Sequence, residues 1–264
     1  MQKYYEELKD YYTLMSNEDE RFSRDKAHTI EYLTTMRYLE KHLPKRCKVL
    51  DCSAASGAYS FLLAKIGYEV TAGDLVERHI DELRKKNKNG LLKDIYLGSV
   101  LDLSKFEDEK FDDVICMGAL YHLHEKKERE KCILECLRVL KKNGIFIFAY
   151  INRNAVYIDC CFNHMLETKE REKLLDDGRN GVFYTMDFGE PQELVKKYDI
   201  EEIEDVGVDG LMYPMRDILN NFTDEEFKSY MDYHFNKACK KSPILYGWRD
   251  ELRMKSTKKA KTFA

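Results

Sequence analysis

The stretch Lys48-Val49-Leu50-Asp51-Cys52-Ser53-Ala54-Ala55-Ser56-Gly57-Ala58-Tyr59-Ser60 decides how the whole chain is read. It opens as an apolar run of strand character, breaks into small residues, and resumes as a helix through Phe61, Leu62, Leu63, Ala64 and Ile66. A strand, a tight turn of small residues and a helix N-terminus make a site for a nucleotide-like ligand. Small side chains let the ligand approach the backbone, and free helix N–H groups point at it. A second predicted strand, Glu69-Val70-Thr71-Ala72-Gly73, ends on Asp74. In nucleotide-binding α/β folds an acid about 20 residues after the glycine turn takes the ribose hydroxyls.

The same alternation continues outward from this stretch. A helix is predicted from about Glu77 to Lys86, with Gly90 suited to end it, then a strand at Asp94-Ile95-Tyr96-Leu97 and a strand from Phe111 ending near Met117. A helix over about Lys127 to Leu140 and a strand over Ile145 to Tyr150 complete residues 47–150, the order expected of a doubly wound sheet. Ahead of it, Tyr4, Tyr5, Leu8, Tyr11, Tyr12 and Met15 form an aromatic stripe at helical spacing, and a second helix runs through Ile30, Leu33, Met36 and Leu39 to His42 before Pro44 stops it. Residues 151–190 break the alternation. A strand over about Glu201 to Val208, a helical insert from Met215 to Lys240 and a strand over about Glu251 to Lys255 close the chain.

Length and composition bound the function. A chain of 264 residues holds one domain with a sizeable core and a small cap, and 35% charged against 44% hydrophobic residues is ordinary for a soluble protein. No apolar run approaches the roughly 18 to 20 residues needed to span a bilayer, and the N-terminus lacks a signal peptide's apolar centre. The eight cysteines lie mostly in apolar segments without a Cys-x-x-Cys pair, which implies buried thiols in a reducing compartment, a cytoplasmic location and no metal. The net charge of −4 offers nothing global to nucleic acid or an anionic membrane, so neither is an expected partner. The locally basic tail from Arg253 to Lys261 is read as a solvated last strand and frayed end.

Val49-Leu50-Asp51, the small-residue turn with Gly57, and Gly67-Tyr68-Glu69-Val70-Thr71-Ala72-Gly73-Asp74-Leu75 resemble motif I and the following acid of class I S-adenosylmethionine (SAM)-dependent methyltransferases. Phe111 to Leu123 resembles motif IV, and Leu137-Arg138-Val139-Leu140-Lys141-Lys142-Asn143-Gly144 resembles the family's Leu-Arg-Val-Leu-Lys-Pro-Gly-Gly. The resemblance implies a Rossmann-like doubly wound seven-stranded sheet in the order 3-2-1-4-5-7-6 with the last strand antiparallel, preceded by N-terminal helices. It divides the chain into an N-terminal helical cap over 1–45 and a methyltransferase domain over 46–264 with helical inserts at about 151–190 and 215–240. It further implies SAM as cofactor, S-adenosylhomocysteine as product, and a small-molecule methyl acceptor, as in a bacterial small-molecule branch of the family. The cofactor-binding residues it implies are Asp51, Ser53, Ala54, Ala55, Gly57, Asp74, Leu75, Ser99, Val100, Met117, Gly118 and Ala119. In the cap it points to Tyr12, Arg21 and Thr35, and the 151–190 insert is expected to form a substrate lid.

Two departures fall inside that pocket. The family reads Asp-x-Gly-x-Gly-x-Gly, and here Ser53 and Ala55 hold the first two glycine positions. Both push a Cβ toward the ligand and lack glycine's freedom at positive φ, which leaves either a reshaped or a lost pocket. At Gly98-Ser99-Val100, Ser99 replaces the family's adenine-contacting acid with a hydroxyl. Methyl transfer asks the protein mainly to align a nucleophile and exclude water, so no fixed catalytic triad is expected. Tyr121, His122 and Tyr150 are the candidates to orient or deprotonate an O, N or S nucleophile, with histidine the natural base near neutral pH. A nicotinamide dehydrogenase would want Gly-x-Gly-x-x-Gly, which the turn lacks. A base-amine methyltransferase would want Asn- or Asp-Pro-Pro-aromatic where Met117-Gly118-Ala119-Leu120-Tyr121-His122 stands. The alternative from another class is a non-catalytic SAM or S-adenosylhomocysteine binder, or an interaction protein on the same fold. Neither the acceptor atom nor the oligomeric state follows from the residues.

Overall fold

A computed structural model describes residues 2–15, 18, 20–210, 212–239 and 249–256. Among the described residues nine strands form: β1 (Lys48–Asp51), β2 (Glu69–Asp74), β3 (Asp94–Leu97), β4 (Phe111–Cys116), β5 (Leu140–Asn152), β6 (Arg179–Asn180), β7 (Phe183–Met186), β8 (Ile200–Gly207) and β9 (Arg249–Ser256). Strands β3, β2, β1, β4 and β5 pair in parallel in that order. Strand β9 joins β5 antiparallel over Ile145–Ile151, and β8 joins β9 antiparallel. The last residues of β5, Ile151 and Asn152, pair in parallel with β7, which closes on β6 as a short hairpin. With that hairpin set apart, the seven principal strands stand in the expected order, 3-2-1-4-5-7-6, with the last strand antiparallel.

The parallel strands are buried because helices cover both faces, which is why they read as near-continuous apolar runs. Helices α1 (Gln2–Asp10) and α2 (Lys26–His42) precede the sheet, α3 (Ala58–Lys65) and α4 (Glu77–Lys86) alternate with the first strands, and α5 (Lys126–Val139) leads into β5. Side-chain alternation along β5 sends Phe146, Phe148 and Tyr150 into the core beneath α5, while Ile145 and Ile147 enter the core shared with α2, α3 and α4. Asn143 takes a left-handed conformation with φ 63° near the start of β5, where the pairing with β4 shifts register, as its short polar side chain allows. Helix α4 ends earlier than Gly90, on Asn87, whose N–H donates to the Leu83 carbonyl. Gly90 closes the next turn instead.

Two inserts depart from the alternation. Helices α6 (Arg153–Phe162) and α7 (Thr168–Asp177) pack Val156, Cys160 and Leu174 on Tyr121, Ala149 and Ile151. After α8 (Glu190–Val195) and β8, helices α9 (Arg216–Asn220) and α10 (Asp224–Tyr233) pack Leu219, Tyr230 and Met231 against Ala27 and Ile30 of α2. Buried Thr34 of α2 shares a 2.8 Å hydrogen bond with His234 Nε2, tying the N-terminal helices to this second insert. Its predicted end at Lys240 and the tail beyond residue 256 lie outside the described residues. No helix among the described residues is long and apolar enough to cross a membrane.

Candidate active site

A cavity with about 1020 Å³ of space, counting its open mouth, lies beyond the carboxyl ends of β1, β2 and β4. Ligands bind at this end of a doubly wound sheet because the loops there diverge and leave a crevice. Its floor is the turn from Asp51 to Ala58, and its walls are Asp74 to Val76, Gly98 to Val100 and Met117 to Leu123. Its roof comes from the N-terminal segment: Tyr5, Leu8, Tyr12, Glu18, Arg21, Phe22 and Glu31.

The substituted turn is held by side chains that a glycine turn would lack. Ser53 Oγ accepts the Gly118 N–H at 2.9 Å, which joins the loop after β1 to the loop after β4. Ala55 sits at φ 46°, in the left-handed region that costs a residue with a Cβ roughly 1–2 kcal/mol. Its N–H donates to Asp74 Oδ2 at 2.8 Å, a charge-assisted bond that offsets the strain. Gly57 then starts α3 at φ 89°. A Cβ there would stand 2.4 Å from Leu83 Cδ2, so only glycine fits.

Two acids face the cavity. Asp51 is 2% exposed and receives the Ser60 hydroxyl at 2.6 Å. Burial pushes its carboxyl up to about 7 against the pull of the Ser60 and Ser53 hydrogen bonds. Asp74 accepts the Val76 N–H at 2.9 Å on Oδ1, with His79 Nδ1 3.1 Å from the same oxygen. Burial alone would lower His79, but its hydrogen bond to Asp74 and that carboxylate's charge outweigh it, and the imidazole is raised. Ser99 Oγ accepts the Leu101 N–H at 3.2 Å and so shapes the third wall, with buried Val100 beside it.

His122 lines the wall after β4. Its Nδ1 lies 2.8 Å from the Val182 carbonyl, an oxygen that can only accept, so Nδ1 carries the proton and Nε2 keeps its lone pair. Tyr12 Oη stands 2.7 Å from that Nε2. The Tyr12 ring packs edge-on against both His122 and His79, with centroids 5.3 and 5.5 Å away. Tyr121 lines the same wall and donates its hydroxyl to the Met117 carbonyl at 3.1 Å. The roof is pinned by Tyr4, whose hydroxyl lies 2.6 Å from the His122 carbonyl and 2.9 Å from that of Val182. It is also held by Arg78, whose Nη1 donates to the Thr13 carbonyl at 2.6 Å. Arg21 is clamped between Glu18, at 3.2 Å, and Glu31.

Three predicted site residues are placed elsewhere. Tyr150 does not line the cavity; it lies in the core beneath α5, and its hydroxyl donates to the Asp205 carboxylate at 3.1 Å. Thr35 is fully buried within α2 and does not line the cavity. Gly57 shapes the turn from behind and does not line it either. The expected lid over 151–190 is likewise corrected, because no described residue of that segment lines the cavity. Its apolar face is drawn to the odd side of β5, and it serves the site through the Val182 carbonyl and through Phe183, whose ring centroid lies 5.0 Å from that of His122. Sequence reasoning missed Glu31 and His79. The latter enters from the first turn of α4, five residues after Asp74 closes β2, so no helical spacing signals the pair.

Residues 50–148 match a family described as a methyltransferase domain. A ubiquinone biosynthesis O-methyltransferase of Idiomarina loihiensis is 28% identical over 167 residues, 63% of this chain and 65% of that protein. A glycine/sarcosine N-methyltransferase of Aphanothece halophytica is 31% identical over 126 residues, 46% of each chain. Both matches therefore span less than two thirds of the relative's length. Among solved structures, a SAM-dependent methyltransferase of Thermotoga maritima, described as a possible histamine N-methyltransferase, superposes with a TM-score of 0.61. It is 18% identical, over 96% of this chain and 99% of that one.

Proposed function

We propose that this chain, a member of the class I SAM-dependent methyltransferase family, transfers the methyl group of SAM to a protic nucleophile on a small molecule held in the roofed cavity. The residues fit the cofactor. The turn from Ser53 to Ala58 carries only small side chains up to Tyr59, and Asp74, Leu75, Ser99 and Val100 line the same space for a ribose and a base. The bound cofactor supplies a methyl group already activated on a sulfonium, so the protein's work is alignment and removal of a proton.

The observation that carries the reading is His122. Its Nδ1–H is locked on the Val182 carbonyl, which turns Nε2 and its lone pair toward Tyr12 within the cavity wall. Tyr12 donates its hydroxyl to that nitrogen, so the acceptor's proton would pass to Tyr12 as the Tyr12 proton passes to Nε2; the aromatic roof would exclude water, and the Ser53–Gly118 bond would keep the two loops in register. A small acceptor is favoured because the cavity is covered by the N-terminal helices and the chain's net charge is −4. Work in a reducing, cytoplasmic setting agrees with eight free thiols.

One observation favours the second reading, a non-catalytic SAM or S-adenosylhomocysteine binder: Asp74 already receives Ala55, Val76 and His79 on its two oxygens. Calorimetric titration with SAM and with S-adenosylhomocysteine tests both readings. Micromolar binding followed by methylation in a screen of hydroxyl, amine and thiol acceptors supports the enzyme. Binding without turnover supports the second reading, and a folded protein that binds neither overturns both.

A further inference from the structure

Below the cavity floor, four thiols from three separate segments meet in the core. Cys52 follows β1, Cys116 ends β4, and Cys132 and Cys136 stand one turn apart on α5. None is more than 3% exposed. Cys52 Sγ lies 3.9 Å from Cys136 Sγ, and Cys116 Sγ lies 3.8 Å from Cys132 Sγ. The sulfurs of Cys52, Cys116 and Cys136 all lie within 4.8 Å of one another. The point equidistant from three such sulfurs is about 2.3–2.6 Å from each, close to the ~2.3 Å of a metal–thiolate bond.

The surroundings supply a donor to sulfur: the Ala119 backbone N–H hydrogen-bonds Cys116. A backbone N–H on a thiolate is the kind of outer-shell donor that steadies a metal–sulfur site.

We propose that Cys52, Cys116 and Cys136 form a trigonal site for a soft monovalent cation of the copper(I) class. Soft thiolates select such ions, and Cys132, outside the close triangle, leaves the four-cornered cage of zinc incomplete. Binding releases two thiol protons to solvent and keeps the third sulfur as a thiol. The buried excess is then a single negative charge, which limits the desolvation cost of the occupied site. The site does not depend on the methyltransfer reading.

The test uses the full-length, fully reduced chain, titrated without oxygen with a copper(I)–acetonitrile complex in competition with bicinchoninate. The expected result is one copper(I) per chain, ultraviolet thiolate-to-copper absorption, and three thiols protected from N-ethylmaleimide relative to the metal-free chain when both are unfolded in its presence. Cys116→Ala and Cys136→Ala should each weaken binding at least about tenfold, and Cys161→Ala should leave it unchanged. Where an alanine variant fails to fold, Cys136→Ser and the thiol protection of the unmodified protein decide the same question. Four neutral packed thiols would fill the same space, so binding no tighter than the chelator overturns the site. Binding that ignores Cys116 and Cys136 does the same, and preferential zinc binding with four thiols protected overturns the trigonal assignment.

Discussion

Tyr12 and His122 meet inside the cavity, phenol oxygen 2.7 Å from Nε2, although the two are separated by 110 residues of chain. The contact places the roof directly against the one imidazole nitrogen that holds a lone pair. His122→Gln should therefore lower kcat by about 10²–10⁴-fold while leaving SAM affinity nearly unchanged. Tyr12→Phe should have the smaller effect. Single-turnover methylation and calorimetry on the same variants separate the two quantities, and a loss of SAM affinity equal to the loss of rate would remove His122 from the role of base.

Asp74 is tied to the substituted turn through Ala55 and to α4 through His79. If one of its oxygens also takes the ribose, Asp74→Ala should weaken SAM binding at least about tenfold, the worth of a hydrogen bond to a charged group. Calorimetry on a variant shown by circular dichroism to be folded decides this. An unchanged affinity would leave Asp74 as a brace of the turn alone.

Ala55 and Gly57 predict opposite signs for exchanges of the same two residue types. Ala55→Gly relieves a left-handed alanine and should stabilise by about 0.5–1 kcal/mol after the entropy glycine adds to the unfolded chain. Gly57→Ala meets Leu83 and a φ of 89° and should destabilise by about 2–3 kcal/mol. Urea denaturation of the two variants beside the unmodified chain gives both signs.

His234 carries a pH dependence. It is fully buried, and burial pushes its imidazole down to about 4. Between about pH 6.5 and 4 the unfolded chain binds the proton and the folded chain refuses it, so stability falls as pH falls through that window, by up to about 3 kcal/mol. His234→Gln should flatten the slope between pH 6.5 and 4 in denaturation curves, and an unchanged slope would assign the acid loss to other groups.

Much of the sheet is legible in the chain because its strands carry local signals. The run from Lys48 to Asp51, the small-residue turn and Asp74 at the next strand's end each depend on neighbours in sequence. Tyr150 depends on more than its neighbours. No residue of β5 lines the cavity, and which core each parity of β5 enters is set by the helices packed on the two sheet faces, which alternation alone does not say. The cover of the crevice is hidden for a related reason. Residues 151–190 and the N-terminal helices are both amphipathic, and only tertiary packing decides which of them lies over the site. The thiol triangle has no signature at all, since Cys52, Cys116 and Cys136 converge only after three segments fold together.

The pairing of β9 between β5 and β8, and of the second insert with α2, sets an order in time. Domains assemble as the chain emerges, beginning from its N-terminal side. Here α2 is made early, yet the partners Leu219, Tyr230, Met231 and His234 that it rests on come roughly 200 residues later. A ribosome-bound intermediate ending before residue 215 would hold the partners of Tyr4, Tyr12 and Thr13 but none of the support under α2. The roof's contacts to the crevice are in this sense available before the helix behind them is braced, so arrest of translation would loosen α2, and Glu31 with it, ahead of the rest of the cover.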